Sequence, residues 1–237
     1  MSTSTIVISG GDHPLKNNIL SLLRQGMHQP SVIDFDTLLN PAGPGCTNAS
    51  PETKQAFEKE IIGTVEKILK KYHNIDVFIS CPASPGKVNF VDQDSESWES
   101  LLHTILTSTL FTCKAVLPKM MKQKFGRIIN VISVKALMGE SEEVVYSSAL
   151  GGLVTMAKCV AKEVGRYNIT MNNICYGLLD IREQDIREGS TDYAIAKQLS
   201  LKRNCSYEDI VNTINFLISA EAAYINGKSI ILDGGVL

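Results

Sequence analysis

Hydrophobic positions fall into two alternating rhythms along this chain. Short β-rich apolar runs alternate with longer stretches in which apolar side chains return every three or four residues. TIVISG at 5–10 reads as a buried first strand closed by a glycine. A helix is predicted from Leu15 to Gly26, with Ile19, Leu22 and Leu23 on one face. SVIDFD at 31–36 reads as a second strand. Residues 40–51, NPAGPGCTNASP, hold three prolines and two glycines and therefore read as a loop. From Pro51 to about His73 the spacing of Phe57, Ile61, Val65, Ile68 and Leu69 predicts a long amphipathic helix.

DVFISC at 76–81 is the next strand. Trp98 to Phe125 is a long helical stretch, expected to break or kink near Pro118. Arg127–Ser133 reads as a strand, Tyr146–Tyr167 as a helix and Thr170–Cys175 as a strand. Residues 180–206 are polar and charged, placed to cap a cleft. Tyr207–Ala220 is predicted helical with Ile210, Ile214, Phe216 and Leu217 inward, and Ser229–Leu232 is the last strand. Strands alternating with helices of ten or more residues imply an α/β fold, one doubly wound Rossmann-like domain over residues 1–237 with a parallel sheet covered on both faces.

Composition narrows the classes without choosing among them. The 237 residues carry 44% hydrophobic and 20% charged side chains, ordinary for a globular chain. A formal net charge of −2, with Lys and Arg scattered, supplies no field for nucleic acid. No apolar run approaches the ~18 residues of a membrane span and no basic-then-apolar leader opens the chain, so a cytoplasmic protein off the membrane is expected. The six cysteines (46, 81, 113, 159, 175 and 205) form no CxxC pair and have no histidine at ligand spacing. They read as free thiols, with no metal site.

Four stretches carry the candidate chemistry. GRIINVISVKALMG, residues 126–139, places Ser133 thirteen positions before Tyr146; Tyr146 opens YSSAL; MNNICYG follows at 171–177; and the chain closes on YINGKSIILDGGVL. Together they resemble the short-chain dehydrogenase/reductase family, in particular 3-oxoacyl-acyl-carrier-protein reductases, over essentially the whole chain. The resemblance implies a tyrosine that exchanges a proton with the substrate oxygen and a serine hydrogen-bonded to the same oxygen. It also implies a lysine one helical turn beyond the tyrosine, and an asparagine in the central helix that relays protons to that lysine. Ser133 and Tyr146 match the first two. The lysine position is Leu150, and the asparagine position, seven residues after Trp98, is Ile105. An unassisted tyrosine titrates near 10, so only about one in a thousand is phenolate at pH 7. Lys135, two residues after Ser133, is the one cation placed to substitute.

The cofactor end departs from the pattern as well. Where the family has Thr-Gly-x-x-x-Gly-x-Gly, this chain reads Ser9, Gly10, Gly11, Asp12, His13, Pro14, Leu15, Lys16. A dinucleotide's pyrophosphate sits on such a turn because glycines let the backbone N–H groups and the helix terminus approach. Proline removes one N–H and lysine fills the space of a glycine, although Lys16 can also be read as a phosphate hook. Gly10, Gly11 and Asp34 are the remaining cofactor candidates. Asp34 and Asp36, at the end of the second strand, favour NAD over NADP should any dinucleotide bind. The Asn-Asn-Ala-Gly wall appears as Ser80, Cys81, Pro82 and Ala83, and the proline-glycine step as Tyr176-Gly177. The stretch after the second strand is too short for the family's helix and third strand, so the sheet is expected to be abbreviated there.

By this resemblance the chain is a catalytically degenerate subunit that holds no dinucleotide of its own. It is expected to support an active NAD-dependent hydroxyacyl or alcohol dehydrogenase paralogue, or copies of itself, in a tetramer. Heteromeric acyl-CoA dehydrogenases of this type, including those of benzylsuccinate β-oxidation, contain such subunits. Lys197, Lys202 and Arg203 are then candidates for a CoA phosphate. The alternative is an active NAD(H)-dependent oxidoreductase on a hydroxyacyl or ketoacyl substrate, working through Ser133 and Tyr146.

Overall fold

In the computed structural model, six strands lie side by side in one sheet, all parallel, in the order β2-β1-β3-β4-β5-β6. Residues 4–10, 13–25, 30–36, 51–84, 86–179 and 191–237 are described. The strands are β1 (Thr5–Ser9), β2 (Ser31–Asp34), β3 (Val77–Ser80), β4 (Gly126–Ser133), β5 (Ile169–Tyr176) and β6 (Ser229–Leu232). Between them run α1 (Pro14–Gln25), α2 (Pro51–Tyr72), α3 (Ser95–Leu102), α4 (Ser108–Gln123), the single turn α5 (Lys135–Met138), α6 (Val144–Val164), α7 (Thr191–Gln198) and α8 (Tyr207–Ile218).

Side chains alternate across a strand, so a sheet covered twice needs apolar residues at both parities. In β4, Ile128 and Ile132 enter the core under α2, α4 and α6, while Ile129 and Val131 enter the core under α1 and α8. Asn130, fully buried in the same strand, gives its amide to Asn173 of β5 at 2.8 Å, and Asn173 in turn reaches Ser229 of β6 at 3.2 Å. Asn173 belongs to the MNNICYG stretch, and Asn130 to GRIINVIS. The closing YINGKS stretch is pinned to β5 by Asn226, which accepts from Met171 N at 3.0 Å and donates to the Ala161 carbonyl at 3.1 Å.

The expected elements form, with three corrections. The long central helix is interrupted at His103–Thr107, where the Ser108 N–H reaches back five residues to the His103 carbonyl, and not at Pro118, which sits inside α4. One extra residue in a turn re-aims the helix without ending it. In α8 the inward face is Ile210, Val211, Ile214 and Leu217; Phe216 lies on the outer side, 46% exposed. Finally, Ser95–Gln123 and Val144–Tyr167 are long and apolar enough to cross a membrane by length and composition, contrary to the expectation that no run comes close. Here both stretches lie against the sheet, contributing Ile105, Val116, Met120, Leu150 and Leu153 to one core. The five cysteines among the described residues are unpaired.

The sheet's carboxyl edge gathers the residues singled out from the sequence. Ser9 is level with Ser80, and Ser133 with Tyr176, in adjacent strands. The chain leaves β1 toward β2 on one side and returns to β3 on the other, and such a switch point opens a crevice beyond the strand ends. Gly10, at its mouth, has φ of +143° and so little room that a Cβ would lie 1.9 Å from the Cys81 carbonyl oxygen. Gly10→Ala is therefore expected to destabilise the fold by at least ~1–3 kcal/mol. Urea denaturation measures this, and an unchanged midpoint would show that the β1–β3 approach can relax.

Candidate functional site

Two clusters flank the crevice. The first is built on charge. Lys16, one turn into α1, is only 2% exposed, and its ammonium lies 2.9 Å and 3.2 Å from the two carboxylate oxygens of Asp34 and 2.8 Å from Oδ2 of Asp36. Asp36 also accepts from the Gly10 N–H at 3.0 Å, so the turn after β1, the start of α1 and the end of β2 converge on one cation. Burial alone lowers a lysine pKa. Here the hydrogen bonds from Asp36 and Asp34, with their charges, outweigh it, and the ammonium is held above the ordinary 10.5.

Beside it His13 Nε2 lies 2.7 Å from the carbonyl oxygen of Cys81, tying the same turn to the end of β3. Cys81 is fully buried, and desolvation pushes its thiol up, out of reach of thiolate chemistry.

This arrangement does not fit the phosphates of a dinucleotide. A phosphate hook needs a cation turned toward the crevice, whereas Lys16 is spent on two carboxylates. Asp34, the candidate for a ribose hydroxyl, is half of that ion cluster. Gly11 lies outside the described residues, and Gly10 is held by packing against β3.

The second cluster is built on exclusion of water. Tyr146, at the start of α6, is 2% exposed and belongs to the same core as Leu150, 0% exposed, and Ile105, 1% exposed. The positions where a lysine and an asparagine were sought are thus closed apolar contacts behind the tyrosine. Ser133, at the end of β4, is buried, and its Oγ accepts from the Lys135 N–H at 3.3 Å, satisfying the strand end. Lys135 does not swing toward Tyr146: its ammonium lies 2.7 Å from Oε2 of the buried Glu143.

The Tyr146 hydroxyl is raised well above the ordinary 10.0, first by desolvation and then by the charge of Glu143. A hydrogen bond with Tyr176 acts the other way on Tyr146, more weakly than burial. Tyr176 replaces the proline expected after β5 and turns its hydroxyl onto the candidate acid. Tyr146 and Glu143 also border a cavity of about 460 Å³, reached past Val88, Ser97 and Leu101.

Comparison with known proteins agrees with this frame. A family profile described as enoyl-(acyl carrier protein) reductase matches residues 56–237. A 3-oxoacyl-acyl-carrier-protein reductase of Synechocystis is 31% identical over 179 residues, covering 75% of this chain and 71% of that one. The chain belongs to the short-chain dehydrogenase/reductase family. Its counterpart in Escherichia coli is also 31% identical over 179 residues (74% and 72% covered). The Thermotoga maritima protein of the same description aligns over 223 residues at 29% identity, 94% of this chain and 84% of that one.

Three functional contacts went unread in the sequence: the Lys16 cluster, the Tyr176–Tyr146 bond and the Lys135–Glu143 pair. The first had a signal. A lysine at the last glycine position, followed 18 and 20 residues later by aspartates at a strand end, supplies a buried cation and its two counter-ions. The CoA-phosphate candidates are partly engaged elsewhere: Arg203 donates to Asp209 Oδ1 at 3.0 Å, and the Lys197 ammonium sits 4.3 Å from the centroid of the Tyr193 ring.

Two outcomes follow. Lys16→Met strands two carboxylates in a half-buried site and should cost ~1–3 kcal/mol at neutral pH. Because the folded lysine pKa is raised, the stabilisation is complete below 10.5 and fades as pH climbs through the higher folded value; the variant should lack that alkaline loss in urea titrations. In the near-ultraviolet spectrum, two of the chain's seven tyrosines should stay protonated after a jump to about pH 11 and ionise only on unfolding. All seven titrating together in the folded protein would contradict the buried pair.

Proposed function

We propose that this chain is a non-catalytic short-chain dehydrogenase/reductase-like subunit that binds no dinucleotide and supports an active NAD-dependent hydroxyacyl or alcohol dehydrogenase in a tetramer, either a paralogue or further copies of itself. The observation that carries this reading is the apolar seal at Leu150 and Ile105. Acid–base transfer is efficient when the group's pKa lies near the working pH, and a tyrosine reaches that range only with a cation beside it. Leucine and isoleucine exclude water and supply no charge, so burial drives Tyr146 away from neutrality.

The internal ion cluster supports the cofactor half of the proposal. A pyrophosphate arriving at this turn would meet Asp36 on the Gly10 N–H and a lysine that cannot leave Asp34 without stranding it. The subunit half is supported by apolar surface. Leu102, Leu110 and Val144 are 38–45% exposed on the central helices, and Phe216, Tyr224, Ile231 and Leu237 are exposed toward the carboxyl end. Contiguous apolar surface marks places where partners attach, and these side chains are the candidates for it.

A second reading keeps the enzyme: an NAD(H)-dependent oxidoreductase acting on a hydroxyacyl or ketoacyl substrate through Ser133 and Tyr146. The cavity beside Tyr146 and the reductase names of the relatives favour it. Titration of the purified chain with NADH and NADPH separates the two. We expect no enhancement of dihydronicotinamide fluorescence up to millimolar cofactor, and a tetramer or hetero-tetramer by native mass spectrometry. Micromolar binding with turnover of a 3-oxoacyl thioester would establish the second reading instead.

A further inference from the structure

Cations that are scattered along the sequence are gathered by the fold at one end of the sheet. Helices α2, α4 and α6 run back against parallel strands, so their carboxyl ends meet the amino ends of β3, β4 and β5. Each brings two exposed cations there: Lys70 and Lys71, Lys122 and Lys124, Lys162 and Arg166. The acidic residues of these last turns and connections are Glu163 and Asp76, and Asp76 accepts from the Thr5 N–H at 2.8 Å. The ion pairs of the described residues lie elsewhere, at Lys16, Lys87, Lys114, Lys135 and Arg203. We propose that this end of the molecule docks on the surface of an anionic phospholipid bilayer, held by charge and with no helix inserted. The inference does not depend on whether the chain transfers hydride.

The connections make this face low and rigid. Residues 73–76 join α2 to β3, 124–125 join α4 to β4, and residue 168 alone joins the turn after α6 to β5. His73, Lys124 and Asn168 adopt left-handed conformations, φ +67°, +55° and +59°, which reverse the chain at once. The Gln123 amide donates to the carbonyls of Ile75 and Phe125, both at 2.9 Å. Arg127 Nη1 donates to those of Gly126 at 2.9 Å and Asn168 at 3.0 Å. The three ends are stitched to one another, and no long loop stands between their cations and a flat surface. Tyr72 and Tyr167 lie at the same edge, half-buried, with Lys71 and Arg166 over their rings at 5.1 and 4.9 Å. Tyrosines so placed, apolar in body and polar at the tip, suit the headgroup zone of a bilayer.

Lysines at helix ends also balance the helix dipole. That balance takes roughly half a charge per helix. Each of these ends carries two, whereas α8, which closes at the same edge, has no basic residue in its last turn. A nucleic-acid site would offer ring faces for stacking bases; here Tyr72 and Tyr167 pack on the core and sit under their own cations. Residues 1–3 and 26–29 join the sheet at β1 and β2, and 37–50 lead into the opposite end of α2; none of these carries an acidic side chain. The acidic stretch 180–190 is tethered at Leu179, past the carboxyl end of β5, and at α7. Subunits attached through the helix faces would leave the helix ends open.

The test is co-sedimentation of the full chain with vesicles of phosphatidylcholine, pure or with about one-third phosphatidylserine. Half of the protein should pellet with the mixed vesicles below about 1 mM accessible lipid, and none with the pure ones. Salt at about 0.5 M should release it. Each cation near such a surface contributes about fivefold in partitioning, so Lys70→Gln with Lys122→Gln should weaken binding about thirtyfold. Lys59→Gln with Lys114→Gln removes equal charge from the same two helices, more than a Debye length from their ends, and should change binding by less than about twofold. Equal binding to both vesicles, no binding, indifference to salt, or equal loss in the two variants would overturn the proposal. So would tighter binding to a duplex oligonucleotide at equal phosphate, or a dimer that Lys70→Gln with Lys122→Gln dissolves, since nucleic acid or a second copy would then own this face.

Discussion

A lysine ammonium placed out of water must find counter-charge, and Lys16 finds it in Asp34 and Asp36. That requirement organises the whole amino-terminal third. Isolated, a buried ammonium costs several kcal/mol or loses its proton; with two carboxylates at hydrogen-bond distance it keeps the proton and fixes three chain segments at once. Gly10 can turn tightly against Cys81 because its N–H is received by Asp36, and α1 starts where it does because Lys16 is drawn back toward β2. In a dinucleotide-binding relative, an anion arriving from solution meets the turn. In this chain two carboxylates at the end of the second strand meet the turn and the lysine that follows it.

The same exchange of an external partner for an internal one occurs at the other flank. A buried tyrosine hydroxyl needs a hydrogen-bond partner, and Tyr176 provides one. Lys135 is held by Glu143. Both ends of the crevice are thereby complete as polymer structure. The Cys81 carbonyl packs on Gly10 and lies within hydrogen-bond distance of His13, tying the turn after β1 to the end of β3.

The fold was legible because its signals are periodic and long. The alternation of strands and helices, the two parities of β4 and the Ser133–Tyr146 spacing survive any local substitution. Side-chain partners were not legible in the same way. Lys16 could be read as a phosphate hook because a sequence shows a cation without showing where its head points; only the convergence of α1 and β2 decides that. The interruption at His103–Thr107 was missed because its cause is an extra residue within a turn, and Pro118 is the louder signal in the string. Phe216 was misplaced by one helical position, which rotates a side chain by about 100° and carries it from core to surface. Gly11 and the proline-rich stretch after β2 fall outside the described residues.

These internal contacts support one another, so no single substitution replaces one of them without disturbing its neighbours. A lysine at position 150 would enter a core of Ile105, Ala149 and Leu153, and burial there would lower its own pKa. A glycine at position 16 would open the turn but leave Asp34 and Asp36 facing each other across an unfilled site, repelling the phosphates they would have to admit. A proline at position 176 would remove the hydrogen-bond partner of Tyr146, yet burial would still hold the hydroxyl above its ordinary range. Each change made alone costs stability, because the sheet and the helices on both its faces are packed around the contacts it would remove.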